Sequence, residues 1–174
     1  MRRSLRFVSL TVLLFLGIQV QTSCSPRISG EGSTVPPVIE LTQGEESQKY
    51  NIQLDFMKHH MSGMLIVRRM PDNEIRIVAS TYFGLSLFDF SLHDDQFNVN
   101  SCIEPMKKEK VLKLLEMDFR RLFLNGKDVR VKATKDNATP KRTSGKGFGK
   151  SVVYITGDTP GEPAQIKIKH PWIR

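Results

Sequence analysis

Long apolar runs, cysteines and catalytic signatures are all scarce in this chain. No apolar stretch reaches 18 residues, so nothing in it reads as a membrane-spanning helix. Two cysteines in 174 residues, Cys24 and Cys102, allow one disulfide at most. There is no G-x-S-x-G elbow, and no pair of carboxylates stands out for acid–base work. No His, Cys, Asp and Glu spacing matches a zinc or calcium pattern. His59 and His60 are neighbours on a candidate strand, so their side chains point to opposite faces and do not chelate one ion. Gly145-Lys146-Gly147-Phe148-Gly149-Lys150 is glycine-rich and basic. It lacks the spacing of a phosphate loop and leads into a strand rather than a helix. A flexible loop is expected there, with Lys141, Arg142, Lys146 and Lys150 able to touch anionic headgroups. Asn137-Ala138-Thr139 is a glycosylation sequon. The expectation is a protein without catalytic residues, metal or cofactor.

The first thing present is a basic start, Arg2, Arg3 and Arg6, followed by an apolar run from Phe7 to Val20. At helical rise that run covers about 21 Å, short of the ~30 Å hydrocarbon core. This is the pattern of a secretory signal peptide, residues 1–23. The window VQTSC that ends it contains no alanine, so an A-x-A cleavage site is missing. Thr22-Ser23-Cys24 instead resembles the lipobox of bacterial lipoproteins, with Gln21 where those usually carry an aliphatic residue. The resemblance implies that Cys24 is acylated and begins the mature chain. Two or three acyl chains anchor a protein stably, whereas one binds only marginally. On the residues alone, the competing role for Cys24 is a disulfide with Cys102.

The signal holds three of the 26 basic residues, leaving 23 basic against 18 acidic side chains and a net charge of +5. That charge suits an anionic membrane surface or an acidic partner, and equally suits solubility alone. Residues 24–48 are rich in Ser, Gly, Pro, Thr and Glu and read as a flexible tether. Residues 49–174 then form one domain.

From Tyr50 the period is two. Tyr50, Ile52, Leu54 and Phe56 alternate with polar residues as a half-buried strand. HHMSGMLIVRR is a second strand, with Gly63 as a bulge or close-packing point. Met70-Pro71-Asp72-Asn73 is a turn. Residues 74–79, 85–92 and 96–100 continue an antiparallel meander. Pro105 then opens a helix whose one face carries Val111, Leu112, Leu115, Phe119, Leu122 and Phe123. Asn125-Gly126 stops it. Strands at 128–133, 151–156 and 165–169 complete the sheet, with 134–147 as a long basic loop. The fold class is α+β, mainly antiparallel β, with the helix against the concave face of a curved sheet.

Tyr82-Phe83-Gly84 joins two of these strands. Turns seldom carry two aromatic rings. Either the rings fold back into the core, or an apolar tip stands in water to meet a membrane or a partner. With the lipobox, the tether, GMLIVRR, FGLSLFDFSL and the helix segment LLEMDFRRLFL, this arrangement resembles the LolB-like outer-membrane lipoproteins. The resemblance is best over about residues 50–124. It implies a curved, open half β-barrel with a covering amphipathic helix, anchored by lipid in the outer membrane and facing the periplasm. It implies an apolar cavity for acyl chains or acylated lipoproteins, a periplasmic carrier as partner, and Tyr82, Phe83 and Gly84 as the membrane-contact loop. Leu65, Val67, Ile75, Ile77, Leu87 and Phe90 are the expected lining, with Leu115 and Phe119 as the lid. The same residues equally make a filled core. The methionines Met57, Met61, Met64 and Met70 offer an adaptable lining or simple gap filling.

Overall fold

A computed structural model describes residues 34–44, 46–56, 58–93, 95–127, 129–132, 141–157 and 164–171. The expected signal peptide, Cys24 and Met57 lie outside these residues. The first sheet is a meander of β1 (Gln48–Phe56), β2 (His59–Arg69), β3 (Ile75–Ser80), β4 (Ser86–His93) and β5 (Gln96–Cys102), paired in that order and antiparallel throughout. The register places apolar residues opposite one another: Tyr50 faces Leu65, Val67 faces Ile77, and Ile77 faces Phe90. Because side chains alternate along a strand, this one register gathers a continuous apolar face. The other face carries a polar ladder in which Arg76 binds Asp89 at 2.6 Å, and Asn100 donates to Ser91 Oγ at 2.9 Å.

The turn at 70–73 closes as the residue types require. Asn73 takes φ 67° and donates to the Met70 carbonyl at 3.0 Å, while Asp72 Oδ1 accepts from the Glu74 N–H at 3.1 Å. The helix α1 (Glu109–Phe123) buries Val111, Leu115, Phe119, Leu122 and Phe123. Its phenylalanines meet the sheet: the Phe119 ring lies 5.8 Å from Phe88 and 6.2 Å from Phe90.

Several sequence expectations are corrected. The helix does not open at Pro105. A 3-10 turn, Glu104–Met106, comes first, and Lys108 at ψ 127° interrupts it before α1 starts. Nor does Gly126 stop the helix by taking positive φ. Leu124 turns extended and donates to the Arg120 carbonyl, and Gly126 instead forms an antiparallel bridge with Val35. The later strands do not extend the first sheet. They form a second, antiparallel one from β6 (Arg130–Lys132), β7 (Lys141–Ser144), β8 (Ser151–Thr156) and β9 (Gln165–Lys169). Within the expected basic loop, Lys141 to Ser144 is thus a strand. Polar side chains hid it, but backbone pairing to β6 and β8 satisfies its amide groups. The expected tether also ends early. Val38 and Ile39 are buried, and both their N–H groups donate to the Leu122 carbonyl at 2.9 Å. Among the described residues neither sheet closes into a barrel, so β1, β5, β6 and β9 remain edge strands.

Candidate functional site

Two of those edges bound a cavity. Its volume is about 280 Å³, and it lies between β1, α1 and the end of β9. Strand β1 contributes Tyr50 to Phe56, seven consecutive residues. A strand that borders a space with both alternating sets of residues presents its edge to it, and an edge strand has no second neighbour to cover it. The helix adds Val111, Leu114, Leu115, Asp118, Phe119 and Leu122, and β9 adds Ile166 and Ile168, with His170 just beyond it.

Of the expected lining, Leu65, Leu115 and Phe119 border this cavity. Val67, Ile75, Ile77, Leu87 and Phe90 do not; they are buried in the packed core. The physical reason is the stack of rings over the middle of the sheet. Phe88 and Phe90 lie 4.5 Å apart, Phe97 is 5.0 Å from Phe90, and Phe119 closes over them. That filling closes the middle of the sheet, and the 280 Å³ space lies toward β1. The half-buried alternation of Tyr50, Ile52, Leu54 and Phe56 was the available signal for an incompletely covered strand. Ile166, Ile168 and His170 had none, because their part depends on how the second sheet meets the first. Met61, Met64 and Met70 are half-buried and outside the lining.

The polar members of the wall are unequal. Tyr50 donates its hydroxyl to Gln48 Oε1, and burial raises the Tyr50 pKa. Asp55 is paired with the exposed His60. Asp118 and His170 are the enclosed pair. His170 Nε2 lies 2.8 Å from Asp118 Oδ2, and Arg121 approaches Asp118 Oδ1 at 3.4 Å. Burial lowers the pKa of Arg121, and the Asp118 charge opposes that shift. Among the described residues no group of His, Cys, Asp and Glu is arranged to hold a metal.

The turn after β3 stands clear of all this. Thr81 N donates to the Leu85 carbonyl at 2.8 Å, Gly84 N to the Thr81 carbonyl at 3.0 Å, and Leu85 N to Thr81 Oγ1 at 3.1 Å. Gly84 sits at φ +84°, which only glycine adopts freely. The turn points its rings outward: Phe83 is 99% exposed, Leu85 64% and Tyr82 60%. The Tyr82 hydroxyl donates to Asn51 Oδ1 at 3.2 Å, so the loop is tied back to β1. In the basic segment, Lys146, Phe148 and Lys150 are exposed, whereas Arg142 is half-buried and donates to the Pro36 carbonyl at 2.6 Å. Lys141 sits 5.5 Å from the Tyr154 ring. These last two are therefore occupied within the domain rather than free for headgroups.

No protein-family model matches the chain, and neither does any curated protein or solved structure.

Proposed function

We propose that this is a lipid-anchored, LolB-like lipoprotein of the outer membrane, facing the periplasm. It binds an acyl chain in the cavity and assists insertion of acyl chains or acylated proteins into the membrane. The two sheets and α1 then act as a curved, open half-barrel with its covering helix. The observation that carries this reading is the 280 Å³ cavity, walled mainly by aliphatic and aromatic residues, beneath α1. An apolar cavity of ~150 Å³ takes a benzene. On that scale the present one takes about eleven carbons, or one chain rather than the several of an acylated protein terminus. At ~0.8 kcal/mol per CH2 the gross gain is about 9 kcal/mol. Losses of about 4 kcal/mol or more on association leave a modest affinity, which suits a carrier that must release its cargo. Phe83, Tyr82 and Leu85 supply an apolar tip for contact with lipid.

Native mass spectrometry of the full chain purified from a bacterial host tests the cavity. Co-purifying lipid of single-chain mass is expected. A clean apoprotein mass favours a non-catalytic accessory lipoprotein that binds a protein partner. Phe83→Glu tests the loop: transfer of acyl cargo to vesicles should be lost with an unchanged melting temperature. Transfer that survives the substitution removes the loop from the mechanism.

A further inference from the structure

Resting on the cavity reading above, we propose that the ligand is a single-chain carboxylic acid whose carboxyl group is held by His170. The wall is mainly apolar; its polar members are Asn51, Gln53 and Asp55 on the β1 edge and the more enclosed pair Asp118 and His170, which lie 52 residues apart in the chain. Asp118 lies on the cavity face of α1 between Leu115 and Leu122, where a carboxylate would otherwise face hydrocarbon. Its charge is balanced by Arg121. The side chains of Asp118 and His170 are 17% and 12% exposed. Asp118 accepts from His170 Nε2, so Nδ1 is the ring nitrogen left over, and it is buried with no hydrogen-bond partner among the described residues.

A buried ring nitrogen without a partner is costly, and a ligand group that reaches it removes the cost. Neutral imidazole offers a lone pair at Nδ1, and imidazolium offers an N–H. A carboxylic acid answers either form: its O–H donates to the lone pair, or its carboxylate accepts from the N–H. An alcohol also answers both, but only the carboxylate sets an ionised acceptor against the imidazolium donor, which adds the attraction of opposite charges to the hydrogen bond. With Arg121 and Asp118 cancelling, a protonated His170 leaves one positive charge for that carboxylate. Nδ1 is enclosed, so the acid reaches it as the ring turns about its Cβ–Cγ bond, a broad torsion; that turn also moves Nε2, so the bond to the acid competes with the Nε2–Asp118 contact. The acid's alkyl chain then runs between β1 and α1, along Leu54, Leu115 and Phe119.

The test is displacement of a fluorescent fatty-acid probe from the full, delipidated chain by decanoic acid, methyl decanoate and decan-1-ol. The acid should bind about tenfold more tightly than the ester and the alcohol, the scale of one charge-assisted hydrogen bond. In His170→Gln and in His170→Phe, which keeps an apolar ring in place, the acid, ester and alcohol should bind within about twofold of one another. Melting curves identify which of the two variants is folded and therefore read. Equal affinity for acid and ester in the unaltered chain, or an acid preference that survives in the folded variant, overturns the proposal. If neither acid nor ester displaces the probe, the acyl-cavity reading itself fails, and this proposal with it.

Discussion

Gly63 on β2 packs against the backbone of Ser80 at the end of β3. A β-carbon at position 63 would overlap the Ser80 carbonyl oxygen, and it would stand 2.9 Å from that carbonyl carbon and 3.0 Å from Thr81 Cα. All three atoms are backbone, so no side-chain rotation relieves the overlap. Gly63 also sits opposite Ile52, and the β3–β4 register shifts at Ala79 and Ser80. The close approach therefore fixes how β3 leaves the sheet for the aromatic turn. Gly63→Ala should cost about 2–3 kcal/mol. It should lower Tm by about 5–10 °C, measured by thermal unfolding. A Tm within a degree of the parent would mean that β3 shifts freely there.

Leu115 borders the cavity from the helix side and is buried. Leu115→Phe adds volume toward an existing space rather than into packed atoms. We expect stability to change by less than about 1.5 kcal/mol, while capacity for alkyl ligands falls at least about tenfold. The contrasting change is Phe90→Ala, in the filled part of the core, which should cost about 3–5 kcal/mol. Equal destabilisation by the two would place the void elsewhere.

Burial raises the Tyr50 pKa above 10.0. Here the sign is fixed: the unfolded chain gives up this proton first as pH rises, so the folded state loses stability above about pH 10. Below that both states hold the proton, and Tyr50 contributes no pH dependence. Tyr50→Phe should flatten the alkaline decline in denaturant midpoint and remove a late component from the phenolate absorbance titration. An unchanged titration curve would sink the assignment.

Cys102 is a free, half-buried thiol, and desolvation raises its pKa despite the nearby Lys107. Less thiolate is then present at pH 8 than in an unhindered cysteine, and the thiolate is the nucleophile. Iodoacetamide should modify Cys102 several-fold more slowly in the folded chain than in denaturant. The comparison is best made by mass spectrometry, because it separates this site from Cys24. Equal rates would show an open thiol.

What the sequence determined by itself was local. Alternation marked β1 to β5, because a half-buried strand repeats every two residues. The 3.6-residue spacing marked α1, and Pro71, Asp72 and Asn73 marked a turn that Asn73 closes at positive φ. Phe83 was legible as an oddity, although the sequence left open whether its ring turned inward; the 3.0 Å Gly84–Thr81 bond and its neighbours decided that it turns out. Tertiary structure alone decided the rest. The polar segment Lys141–Ser144 became a strand because its neighbours supplied backbone partners, a fact that no side-chain pattern records. Val38 and Ile39 joined the core because the Leu122 carbonyl at the helix end accepted their N–H groups. The space at β1 arose where four phenylalanine rings filled the sheet's centre and left its edge uncovered. Whether an apolar residue lines a void or a packed interior depends on the volumes of neighbours distant in the chain, and for that reason hydrophobicity alone placed Val67 and Leu65 together while packing separated them.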